Sequence, residues 1–166
     1  MTAKQLLDLL TEFYREKLAL NRDHIASARV VEDYNFNNTY QYVINREEVQ
    51  LNWLRDAIAG VGGQVADGAE PDAGPPAKGS RAQASAIERD GQAAQAFVDK
   101  WRGRIEAMPN ARHRTMLRLI LGETLEHRRF FEQAAAGRAD LLGRRPDGQG
   151  TGGGVLPVRW IERPGD

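Results

Sequence analysis

Cysteine is absent from this sequence, which removes disulfides, thiolate metal ligands, cysteine nucleophiles and thiol redox chemistry together. Any metal would have to be held by oxygen and imidazole. An excess of one charge is missing as well: 23 lysines and arginines balance 23 aspartates and glutamates, for a formal net charge of zero. No global field therefore draws the chain to nucleic acid or to an anionic membrane, and neither is expected as a partner. Long apolar runs are also lacking. The opening MTAKQLLDLLTEFYREK scatters charges among its leucines, unlike a signal-peptide core or a spanning segment, and a cytoplasmic location is expected. No segment has convincing strand alternation, so the strand-to-helix elbow that carries a serine nucleophile has no place here. The run Gly150 to Gly154 is not followed by Lys-Ser or Lys-Thr and opens no helix after a strand; it reads as a hinge and not as a phosphate cradle, and no organic cofactor is expected.

What is present is helical periodicity over 166 residues, about one domain of chain. Leu6, Leu9, Leu10, Phe13, Leu20 and Ile25 recur at three- and four-residue spacing and predict a first helix from Ala3 to Ala28, with Thr2 as its N-cap. A polar, asparagine-rich stretch, Glu32 to Asn38, reads as the loop before a second helix. That helix carries Thr39, Tyr40, Val43, Ile44, Glu47, Leu51, Leu54 and Ile58 and stops at Gly60. The segment from about 61 to 80 is rich in Gly, Pro, Ala and Asp and reads as a connector. A third helix is predicted from Arg81 to Met108, a tight break at Pro109-Asn110, and a fourth helix from Ala111 to Ala136 ending at Gly137. The fourth is expected to turn Met116, Leu119, Ile120, Glu123, His127, Phe130 and Phe131 inward. The expected fold is all-α: a four-helix bundle over 1–137 made of two antiparallel hairpins. The connector is long enough to cross the length of the bundle. Residues 138–166 read as an extended C-terminal arm, whose apolar phrase Val155 to Ile161 docks on the bundle or on a neighbouring subunit. A homodimer is expected, with the arm contributing to its interface.

Candidate chemistry lies on the inner stripes. Glu47 is in phase with Val43, Ile44, Leu51 and Leu54, and a carboxylate so placed needs a cation or a hydrogen-bond donor to offset its desolvation. Either a metal ion or a basic side chain such as Lys17 meets that need. Glu123 and His127 stand one turn apart, a spacing that chelates one metal or forms an intrahelical pair. Glu16 and His24 flank the first stripe, and Asp90 lies one turn from Ile87 and Ala94 in the third helix.

The segments REEVQLNWL, residues 46–54, and GETLEHRRFF, residues 122–131, resemble the ligand-bearing helices of ferritin-like, rubrerythrin-related proteins. The resemblance implies a ferritin-like bundle with a di-iron or di-manganese carboxylate centre and a redox or stress-related role. Carried over position by position, it makes Glu16, Glu47 and His127 metal ligands; Glu123, a carboxylate displaced by one residue, completes the candidate ligand set, and His24, Gln50 and Asp90 are the weaker candidates. The motif is half kept. Gln50 stands three residues after Glu47 where the family has histidine, Thr124 stands three before His127 where it has glutamate, and Gln92 to Ala96 brings no carboxylate. The alternative is a metal-free bundle of the same kind, acting as a structural or protein-interaction module with its centre filled by protein groups.

Overall fold

A computed structural model of the chain describes residues 1–66, 68, 78–138 and 141–142. Over these the protein is all-α, with four helices and no strand: α1 Ala3–Ala28, α2 Tyr34–Gly60, α3 Ser80–Glu106 and α4 Ala111–Ala135. The apolar phrase at 155–161 and most of the connector lie outside the described residues.

Three of the four helices begin where a side chain satisfies the first free amide groups, whereas α3 starts after Gly79 with no side-chain cap. The Thr2 hydroxyl accepts from the Gln5 N–H while the Gln5 side chain accepts from the Thr2 N–H, a reciprocal capping box. Asn110 accepts from the His113 N–H at the start of α4. The start of α2 departs from the expectation. Residues 34 to 38 are helical, because the Asp33 carboxylate accepts from the Asn35 and Phe36 amides and so starts the helix five residues before Thr39. Asparagine richness signals a loop only where no cap competes for the same stretch. At the far end, α2 closes on Gly62, whose φ of +84° suits glycine, with the Gly63 N–H donating to the Ile58 carbonyl.

Four helix pairs pack together: α1 on α2, α3 on α4, α1 on α3 and α2 on α4. Side-chain pairs fix the directions. Tyr14 meets Arg55 and Asn37 meets the Ala28 carbonyl, so α1 and α2 are antiparallel. Glu12 meets Arg104 while Glu16 meets Lys100 and Trp101, so α1 and α3 are antiparallel. Glu106 meets Arg118 and Tyr42 stacks near Phe130, making α3/α4 and α2/α4 antiparallel as well.

The core divides along the bundle axis. One apolar cluster, including Leu10, Phe13, Leu54, Phe97, Trp101 and Leu117, fills the end near the α3–α4 turn. Phe13 meets Phe97 and Trp101 edge-on, with ring centroids 5.1 and 4.8 Å away, the arrangement favoured by the ring quadrupoles. A second cluster, including Val31, Tyr40, Val43, Ile87, Phe131 and Leu141, fills the opposite end. Between them lies a polar layer.

Candidate functional site: a buried polar layer

The polar layer consists of Lys17, Asn21 and His24 from α1, Glu47 and Gln50 from α2, Asp90 from α3, and Thr124 and His127 from α4, all buried. On α1, Lys17 and His24 share the ridge of Phe13 and Leu20, at spacings of three and four residues, so the packing that buries the aromatics buries them too. Glu47 sits at the centre with its side chain fully enclosed. Its Oε1 accepts from Lys17 Nζ at 2.8 Å. Its Oε2 lies 2.9 Å from His24 Nδ1 and 3.4 Å from Asn21 Nδ2. Because an ionised carboxylate can only accept, His24 Nδ1 carries the proton in this contact. Lys17 donates again to Thr124 Oγ1 at 3.2 Å, and that hydroxyl in turn donates to the Ile120 carbonyl at 2.8 Å.

Electrostatics follow from this geometry. Burial alone would push the Glu47 carboxyl up, but the Lys17 ammonium and then His24 outweigh it and hold the group well below the usual carboxylate range. His127 has the opposite fate. Burial, reinforced by Lys17 and only partly offset by Glu47, brings its imidazole down to about 3, so the ring is neutral. Its Nδ1 is 3.9 Å from Glu47 Oε1, beyond hydrogen-bonding range. Neither His127 nitrogen, nor His24 Nε2, nor Gln50 Oε1 has a hydrogen-bond partner among the described residues. Towards the second apolar cluster, Tyr40 donates to Asp90 Oδ2 at 2.6 Å. Burial raises the Asp90 carboxyl despite nearby His24, Tyr40 and Arg89, and burial together with Asp90 raises the Tyr40 phenol.

The sequence-predicted candidates therefore separate into two groups. Glu47, His24, His127 and Asp90 meet in or beside the layer. Full burial of His24 corrects the expectation that it flanks the stripe, since the ring packs 5.0 Å from Phe131. Glu16 does not reach the layer, and Glu123 touches it only through Gln50. Glu16 lies on the α1/α3 seam, accepting from Trp101 Nε1 at 2.9 Å and from Lys100. Glu123 lies on the α2/α4 seam, paired with Arg46 and Gln50. The expected inward phase of α4 is corrected accordingly: Leu117, Ile120, Thr124, His127 and Phe131 are buried, while Leu119 is half exposed. Asn21 and Thr124 are polar members of the layer that periodicity did not single out as site residues. Their signal was position on the ridge, obscured because neither is titratable.

A metal centre of the implied kind needs several carboxylates around the ions. Of the four ligand candidates, Glu47 is the only carboxylate in the layer, and both its oxygens are already engaged. Lys17 places a fixed positive charge where a divalent cation would sit, and the two repel. Among the described residues no group of three or more histidines and carboxylates is arranged to hold a metal ion. The donor set does not fit the implied centre. No described helix is long and apolar enough to cross a membrane. No protein-family model matches the chain, and neither a curated protein nor a solved structure matches it.

Proposed function

We propose that this protein is a metal-free, ferritin-like four-helix bundle that serves as a structural or protein-interaction module. The carrying observation is the 2.8 Å contact between Lys17 Nζ and Glu47 Oε1, with both side chains fully buried. The lysine supplies the cation that a metal ion supplies in the related architecture. The ferritin-like reading is supported by helix direction: α2 and α3 both run antiparallel to α1 and so parallel to each other, as in bundles of two hairpins joined by a long crossover. Sealing of the layer argues against substrate chemistry there, because Lys17, His24, Glu47 and His127 have no exposed surface through which a reactant enters. The interaction role is supported by the outer face of α2 and α4, where Tyr42 and Val49 are over a third exposed and Leu119 is half exposed. These exposed apolar side chains are available to a partner, and a second copy of the chain is the partner this reading expects.

The unpartnered nitrogens of His24 and His127 favour the second reading, an iron or manganese protein with a redox or stress role. Elemental analysis of chelator-free protein by plasma mass spectrometry separates the two. Sub-stoichiometric metal after incubation with iron and manganese, in a chain that stays folded, is the expected result. One or two ions per chain, lost in Glu47→Gln, would replace the metal-free reading with the metalloprotein one.

A further inference from the structure

An open groove of about 490 Å³ runs along the outside of α3 and α4, within the size range of ligand clefts, roughly 300–1,000 Å³. Its floor is Ile87, Gly91 and Phe131, all buried, and Gly91 leaves the floor without a side chain. Glu88 and Asp99 stand on its rim. They accept from the Gln92 and Gln95 amides, and neither meets a cationic side chain among the described residues. Gln95 spends its amide on Asp99 at 2.6 Å, and its carbonyl oxygen has no hydrogen-bond partner. The groove thus offers apolar area and two carboxylates that, among the described residues, have no cationic partner.

The chain itself leads to this place. Just past α4 the chain has Gly137 with φ +81°, and Leu141 packs in the cluster that contains Ile87 and Phe131, two residues of the groove floor. From Leu142 the sequence continues to Val155-Leu156-Pro157-Val158-Arg159-Trp160-Ile161. An extended tether between residues 142 and 155 spans up to about 43 Å at about 3.3 Å per residue, whereas α3 from Ile87 to Asp99 is only about 18 Å long.

We propose that the α3/α4 groove is the seat of residues 155–161 of the same chain. Trp160 occupies the space above Gly91, where its area, about 150–250 Å² for an aromatic residue, is withdrawn from water. Arg159 and Arg163 supply the cations that Glu88 and Asp99 lack. This seat is independent of whether the polar layer holds metal, and it leaves the α2/α4 face open to a partner.

The lack of native cysteine makes the seat directly measurable. In the full-length chain, a Gln92→Cys/Val158→Cys pair places one thiol on the groove and one on the segment. An Asn45→Cys/Val158→Cys pair places the first thiol on exposed α2 at a similar height. With a short bis-maleimide, the groove pair is expected to close within one chain on the order of tenfold faster than the control, because docking raises the effective concentration. Adding Ala96→Trp, which fills the groove from an exposed position, is expected to remove that advantage while helix content is unchanged. Equal rates for the two pairs, covalent dimers in place of internal closure, or an advantage that survives Ala96→Trp would each overturn the proposal.

Discussion

Replacing His127 with leucine should leave the protein at least as stable at pH 7 and make it markedly less sensitive to mild acid. In the folded chain the His127 imidazole titrates near 3, against 6.5 for an ordinary histidine, because burial and the Lys17 ammonium disfavour its charged form. Below the unfolded value the unfolded chain binds a proton that the folded chain refuses. Stability therefore falls as pH drops from about 6.5 towards 3. The full window corresponds to roughly 5 kcal/mol at about 1.4 kcal/mol per pH unit. Between pH 7 and 5 the same relation gives a loss of about 2 kcal/mol. The carboxyl of Glu47, held below the usual range, adds its own loss only at lower pH, as the medium falls through ordinary carboxylate values. At pH 7 the leucine removes two buried nitrogens that have no partner, and relieving an unsatisfied polar group is neutral or favourable. Urea unfolding of both proteins at pH 7 and pH 5 is the assay. The other histidines, His24 and His113, are common to the two chains and largely cancel. A leucine variant that lost as much stability as the parent between these pH values, to within about 0.5 kcal/mol, would refute this account of the layer.

Three further outcomes follow from the same geometry. Lys17→Met should cost about 3–5 kcal/mol by stranding the Glu47 carboxylate, whereas Lys17→Met combined with Glu47→Leu should recover most of it; denaturant titration of all four corners of the cycle measures the coupling. Tyr40→Phe removes the hydroxyl that donates to Asp90, costing about 1–3 kcal/mol at pH 7. The loss should shrink at pH 4, where the raised Asp90 carboxyl takes up its proton and no longer needs the donor, as unfolding at the two pH values would reveal. Asp33→Ala should cost about 1 kcal/mol and increase amide exchange at Asn35 and Phe36, the two N–H groups the carboxylate accepts from.

Helix number and most boundaries were legible because leucine and aromatic spacing, closed by Gly62 and Gly137, leaves few alternatives. The start of α2 was obscured by reading Asn35, Asn37 and Asn38 as a loop, although Asp33 carried the capping signal. Glu47 was legible from its phase with Val43 and Leu51. The phase of α4 was not. Two stripes run side by side along it, Met116-Leu119-Glu123-Phe130 and Leu117-Ile120-Thr124-His127-Phe131, both at helical spacing. Only packing against α2 and α3 shows that the second is buried. The expected stripe mixed the two: it took Ile120, His127 and Phe131 from the buried one and Met116, Leu119, Glu123 and Phe130 from the other, which carried Glu123 into the expected centre, left Thr124 out, and made a ligand set look more convergent than it is. Lys17 was visible as a partner for Glu47, but nothing in one sequence distinguishes an ammonium from a metal as the compensating cation; the distinction needs the distance between α1 and α2.

The polar layer has a consequence for how the helices find their alignment. Apolar side chains tolerate being traded for one another, so two greasy clusters at the ends of a bundle specify its register only loosely. A slide of α1 along α2 by one turn, about 5.4 Å, would carry Lys17 Nζ away from Glu47 Oε1 and His24 away from Oε2 while leaving leucines opposite leucines. The slid arrangement would bury an uncompensated carboxylate at a cost of about 3–5 kcal/mol, comparable with a large part of the stability of a domain this size. Thr124 extends the same discrimination to α4, since only one register lets its hydroxyl accept from Lys17 while donating to Ile120. The layer is therefore better understood as a device that selects one alignment among several apolar ones than as a source of net stability. The double replacement of Lys17 and Glu47 by apolar residues should accordingly keep the fold's stability while weakening its uniqueness, visible as broadened amide and methyl resonances along α1.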